Sequence, residues 1–252
     1  MEERRYSIGS LFSGIGGFEL GLERAIPGSF TRWQVEQEAY CQKILAKHWP
    51  EAEIYDDVRG ITKNNVERVD ILCGGFPCQD ISIANTNGRG LHGKKSGLWW
   101  EFHRIINELQ PRIAVMENVP AITSRGLGGV IGSLSEIGYN AEWCTIRASD
   151  FGAPHRRERW FCVAYPNNEH SEKQSEREIS MEERYLFKRI RSQNDGVEPN
   201  YWERFPIEPP LRRRDDGVPN RVDRIRALGN AIVPQCSEWI GKKIWESGLL
   251  LD

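Results

Sequence analysis

The chain has 252 residues, 39% of them hydrophobic and 28% charged, enough apolar material for one sizeable domain with a buried core. A formal net charge of −2 excludes a globally basic nucleic-acid binder, so any such binding must come from a local basic face. The six cysteines (41, 73, 78, 144, 162 and 236) form no C-x-x-C pair and have no histidine at zinc spacing, which argues against a disulfide scaffold or a zinc site. The start, MEERRYSIGSLF, has no signal-peptide core, and no stretch approaches the roughly 18 apolar residues of a membrane span. A cytoplasmic protein with reduced thiols is expected.

Residues 6–12 read as a buried strand, followed by the glycine-rich turn Ser13-Gly14-Ile15-Gly16-Gly17 and a helix through Ala25. Strand, glycine turn and helix make the first unit of a nucleotide-binding α/β fold, although a bare tight turn has the same pattern. A second strand over 30–36 ends on Glu36, about 22 residues after the turn, where a carboxylate can take the hydroxyls of an adenosine ribose. The plainer reading is an acid at the start of the next helix, 39–47. A short third strand, 53–55, leads to Asp56-Asp57-Val58. Either aspartate is a candidate for an adenine amino group or a simple turn residue.

A fourth strand, 69–72, runs into Cys73-Gly74-Gly75-Phe76-Pro77-Cys78-Gln79, so a thiol follows a strand end, where parallel α/β sheets carry their chemistry. Residues 84–97, with four glycines and four basic side chains, read as a basic loop, either a lid or a solvated connection. A helix is predicted over 98–109 with Trp99, Phe102, Ile105, Ile106 and Leu109 on its apolar face. The fifth strand, 112–116, runs into Glu117, which is expected to be a semi-buried carboxyl with a raised pKa suited to proton donation near neutral pH, the plainer reading being an acid in the N-cap region of the next helix. A further helix covers 127–137. Strands 141–146 and 159–165 form a closing pair around a turn carrying His155, Arg156, Arg157 and Arg159. From Pro166 the composition turns polar, and residues 186–227 hold ten Lys and Arg against seven Asp and Glu. The segment 166–226 therefore reads as a small recognition appendage. Gly229-Asn230 forms a turn, and the final helix, running to about residue 245, is expected at an open sheet edge beside the first strand.

Five of these stretches, in this order, resemble the motif set of the cytosine-5-specific DNA methyltransferases. They are Leu11–Phe18, Gly75-Phe76-Pro77-Cys78-Gln79, Glu117-Asn118-Val119, Arg157-Glu158-Arg159 and Gly229–Pro234. The resemblance covers residues 6–165 and 227–246, and its compact form is similar to phage and prophage members. It implies an α/β fold, a Rossmann-like S-adenosylmethionine-dependent sheet with helices on both faces. Residues 1–165 and 227–252 would form the catalytic domain and 166–226 a small irregular target-recognition region.

The resemblance also implies roles. Cys78 would add to carbon 6 of a flipped-out cytosine, Glu117 would contact ring nitrogen 3 and the exocyclic amine, Arg159 would support the base, and Arg157 would lie beside it. S-adenosylmethionine would be held by Phe12, Gly14, Ile15, Gly16, Gly17, Glu36, Asp57, Val58, Pro77, Leu98, Asn230 and Ala231. Ser82, Arg89, Lys94, Lys95, Arg212, Arg213 and Arg214 would meet DNA. Two positions depart from the family pattern: Gln37 replaces a frequent tryptophan, and His155 a frequent glutamine. The implied partners are double-stranded DNA, the cofactor and a cognate restriction endonuclease acting separately, with no membrane and a monomeric state. The rival readings are a transfer-RNA methyltransferase, a catalytically silent DNA-binding member, and a structural α/β protein with a packed Cys78.

Overall fold

The computed structural model describes residues 5–77, 97–167 and 221–251. Seven strands form one sheet: β1 (Tyr6–Leu11), β2 (Ser29–Val35), β3 (Glu53–Tyr55), β4 (Ile71–Gly75), β5 (Ile113–Asn118), β6 (Tyr139–Arg147) and β7 (Glu158–Pro166). Their order is β3-β2-β1-β4-β5-β7-β6. β1 to β5 are parallel, and β7 runs antiparallel between β5 and β6. The chain leaves β1 toward β2 on one side and returns as β4 on the other. A crevice therefore opens at the carboxyl ends of β1 and β4, where open α/β sheets bind ligands.

Strand parity sorts the core into two faces, because successive side chains point to opposite sides of the sheet. Leu11, Leu72, Ala114, Met116, Trp160 and Cys162 meet α3 (Leu98–Leu109) and α5 (Leu127–Glu136) through Phe102, Ile105, Ile106, Val130 and Leu134. On the other face, Ile8, Ile71, Cys73, Val115, Phe161 and Val163 meet α1 (Gly17–Ala25) and α7 (Pro234–Glu246). The apolar positions of α7, Cys236, Ile240 and Ile244, recur every four residues, one helical stripe. Among the remaining helices, α2 (Ala39–His48) joins β2 to β3, the short α4 (Ile122–Arg125) precedes α5, and α6 (Arg221–Asn230) leads into α7.

The expected α/β sheet with helices on both faces is present. Two expectations are corrected. The terminal helix does not sit at an open edge beside the first strand: β1 is interior, so α7 covers the sheet face next to α1 instead. Gly229 and Asn230 are not a turn but the last residues of α6, and the chain bends at 231–233 before Pro234 opens α7. Pro at the first position of a helix costs no hydrogen bond, which fixes that restart. Strands β4 and β5 also extend further than the apolar runs suggested, so Gly74, Gly75, Glu117 and Asn118 are paired in the sheet.

Candidate active site

Glu117 lies near the end of β5, opposite Gly75 of β4. Its parity places it on the α7 face, and it is 9% exposed. Arg159 of β7 stands on the same face, diagonal to Glu117, a separation that long side chains span. The Arg159 Nε donates to Glu117 Oε1 at 2.9 Å, and Arg159 Nη1 donates to the Glu158 carbonyl at 2.8 Å. Burial pushes the Glu117 pKa up to about 7, against the lowering pull of Arg159 and Arg157. The carboxyl is thus poised to hold or release a proton at neutral pH, as the sequence suggested.

Gly75 is required by this arrangement. A Cβ there would stand 2.7 Å from Glu117 Oε2, so only glycine leaves the carboxyl its place. The next peptide is also held. Asn118 Nδ2 donates to the Phe76 carbonyl at 2.8 Å, while Asn118 Oδ1 accepts from the Val119 N–H at 2.8 Å. Asn118 is buried and anchors the backbone that leads through Pro77 toward Cys78. The sequence signal for this role is an asparagine directly after Glu117 at the end of an apolar run, which the pattern alone does not separate from a loop residue. Cys78 itself lies outside the described residues, as do Ser82, Arg89, Lys94, Lys95 and Arg212–Arg214. The five described cysteines, 41, 73, 144, 162 and 236, are all buried. Burial pushes the Cys73, Cys144 and Cys162 thiols up, and that of Cys236 to about 12, so these four are poor thiolate nucleophiles.

Arg157 is engaged with backbone carbonyls. Its Nη1 donates to the Gly229 carbonyl at 2.8 Å and its Nη2 to the Ala231 carbonyl at 2.5 Å. The guanidinium straps the end of α6 and the following bend to β7. The same bend presses on the glycine turn: a Cβ at Gly17 would collide with the Ile232 carbonyl, and Ser237 Oγ donates to the Gly17 carbonyl at 2.8 Å.

The second half of the crevice is built around that turn. Gly14 and Gly16 have φ of +57° and +85°, and Phe12 carries a positive φ of 55° without being glycine. A non-glycine residue held there marks a strained, over-determined backbone of the kind found at ligand sites. The Phe12 ring lies 6.5 Å from that of Phe102. A Cβ built on Gly14 would meet nothing within 4 Å, so the turn is open at that residue, while Gly16 and Gly17 are packed against Trp49 and Ile232. Glu36 borders it: Oε2 accepts from the Gly14 N–H at 2.7 Å and Oε1 from the Glu38 N–H at 2.8 Å. It therefore serves both the glycine turn and the start of α2. Asp57 accepts from the Arg59 N–H at 2.9 Å and caps a short 3₁₀ turn whose first residue, Val58, is buried. Leu98 packs half-buried against the same core cluster as Phe12, whereas Asn230 is exposed. A glycine turn open at Gly14 and bordered by the Glu36 carboxylate fits a nucleoside-bearing cofactor with a polar amino-acid end.

The sheet, the glycine turn and the buried carboxyl–arginine pair together define a Rossmann-like methyltransferase fold. A family model, C-5 cytosine-specific DNA methylase, matches residues 6–205. The chain belongs to that family. It is 38% identical over 156 residues to the type II methyltransferase M.CviJI of Paramecium bursaria Chlorella virus IL3A, covering 61% of this chain and 41% of that protein. It is 31% identical over 269 residues to M.Sau3AI of Staphylococcus aureus, covering 98% of this chain and 60% of that protein. Among solved structures, a candidate DNA modification methyltransferase encoded within an E. coli prophage shares 28% identity with a TM-score of 0.51, over 64% of this chain and 47% of the other. The chain thus spans between about two fifths and three fifths of the length of these relatives. Among the described residues, no helix is long and apolar enough to cross a membrane.

Proposed function

We propose that the protein methylates carbon 5 of cytosine in duplex DNA through a covalent adduct to Cys78. The observation that supports this best is the buried Glu117–Arg159 pair. It sits opposite Gly75, three residues ahead of Cys78, on a sheet whose family membership is plain. In this reading the Cys78 thiolate adds to carbon 6 of a flipped cytosine, and the electron pair moves through the ring toward carbon 5. Glu117, held by Arg159, shares a proton with ring nitrogen 3 and accepts from the exocyclic amine, which balances the charge the thiolate brings in. S-adenosylmethionine, when bound at the Gly14–Gly17 turn with Glu36 and Asp57 as its polar contacts, supplies an electrophilic methyl group to carbon 5. Loss of the carbon 5 proton to a base then expels the thiolate. Arg157 acts in this scheme through the bend at 229–231 rather than on the base.

Residues 1–165 and 227–252 would form the catalytic unit, and 166–226 the target-recognition region with its basic residues toward DNA. Transfer of a labelled methyl group from the cofactor to genomic DNA, and its absence from transfer RNA, supports the assignment. Labelling of transfer RNA alone would replace it with the rival substrate.

A further inference from the structure

Glu19 and Gln34 have no part in the chemistry above, yet both are completely buried, at 0% exposure. Glu19 lies in the first turn of α1, two residues after Gly17, and Gln34 lies on β2, two residues before Glu36. Gln34 Nε2 donates to Glu19 Oε1 at 3.0 Å. The remaining oxygen of each side chain, Glu19 Oε2 and Gln34 Oε1, is buried without a hydrogen-bond partner among the described residues. A buried acceptor left without a donor keeps its full desolvation penalty.

Both orphans are acceptors, so as an ionised carboxylate Glu19 has nothing to offer Gln34 Oε1. A proton on Glu19 changes that. It turns an orphan into a donor and supplies the group that Gln34 Oε1 lacks, so acid and amide can pair through both legs. Among the described residues, no cation acts on Glu19. The groups facing Glu19 are the Ser10 hydroxyl of β1, the Ser13 hydroxyl of the turn and the Cys73 thiol of β4, with the Glu23 carboxylate one turn along α1. Burial raises the Glu19 pKa, against lowering pulls from Ser10, the Glu19 backbone, Gln34 and Ser13.

We propose that Glu19 is held as a neutral carboxylic acid paired reciprocally with Gln34, a positioning pair that locks the glycine turn to the end of β2 that bears Glu36. The two segments it joins also meet above it, where Gly14 N–H donates to Glu36. The cofactor consequence rests on the proposed function, whereas the neutral pair does not.

Two variants test this. In Glu19→Gln the amide reproduces both legs without a titrating group. Glu19→Met keeps the volume and removes both legs. The infrared spectrum of the parent at neutral pH, minus that of Glu19→Gln, should contain a protonated-carboxyl stretch. Glu19→Gln should keep the melting temperature of the parent, and Glu19→Met should lower it. By calorimetry, Glu19→Met should bind S-adenosylhomocysteine about tenfold more weakly than Glu19→Gln, the equivalent of one lost buried hydrogen bond. Absence of the carboxyl band, or a Glu19→Gln protein as damaged as Glu19→Met, overturns the pair. The band and the melting temperatures are readable even in a protein that binds no cofactor, so a failure of the functional reading stays separate.

Discussion

At the scale of single residues, the site depends on a carboxyl that is neither freely solvated nor simply ion-paired. Glu117 is desolvated enough to lift its pKa to about 7, yet it keeps Arg159 at 2.9 Å. A folded-state pKa raised above the ordinary carboxylate value means that the proton is held below neutrality and lost as pH rises through about 7. Activity that needs protonated Glu117 should therefore fall on the alkaline side. In Glu117→Gln the amide cannot titrate. That variant should lose about 100-fold or more in kcat, the usual scale for a lost acid–base group, and its residual pH profile should lack the limb near pH 7. A Glu117→Gln profile that keeps the limb would assign it to another group. The motif order pointed to Glu117 and Arg159, and the apolar run before Glu117 already implied its burial. Gly75 and Asn118 were visible only as motif letters. Their work, leaving room for Oε2 and fixing the Phe76 carbonyl, depends on the β4–β5 register, which no local pattern contains.

At the scale of elements, the bend between α6 and α7 is where the parts of the crevice touch. It is strapped to β7 by Arg157 and pressed against the glycine turn at Gly17, while Ile232 reaches toward Gly75. Charge-assisted bonds to backbone carbonyls contribute about 1.5–3 kcal/mol each. One of the two bonds is exposed and counts for little, so Arg157→Met should lower stability in urea denaturation by about 2–3 kcal/mol and weaken binding of cofactor and of DNA together. A base-contacting arginine would weaken DNA binding alone, so that split decides between the two roles. The family resemblance placed Arg157 as a neighbour of the base-supporting Arg159. Arg157 lies just before β7 and Arg159 within it, so the motif letters alone could not separate their roles. The direction of Arg157 was decided by a chain segment more than 70 residues away.

At the scale of the whole molecule, most of the sheet was legible. The glycine turn, the apolar runs and the helical stripe over 98–109 each carried a local period, and α3 and β3 fall where the pattern put them. The placement of α7 was not legible, because an amphipathic helix reveals which face it buries but not against what. The strand order decides that. With β1 interior, the α1 flank of the sheet was the apolar surface left to cover. The buried Glu19–Gln34 pair escaped for a similar reason: two polar residues on different elements look solvent-facing until the fold brings them together.

The account as a whole stands on Cys78 forming a bond to the base, and covalent trapping tests this most directly. DNA containing 5-fluorocytosine in place of cytosine presents a fluorine at carbon 5 that a base cannot remove, so it holds the adduct at the step before the thiolate leaves, whatever sequence the protein selects. With cofactor present, the parent protein should form a complex with this DNA that survives denaturing electrophoresis, and Cys78→Ser should form none. A parent protein that methylates ordinary DNA yet forms no such complex, or a Cys78→Ser protein that is trapped equally well, would contradict it.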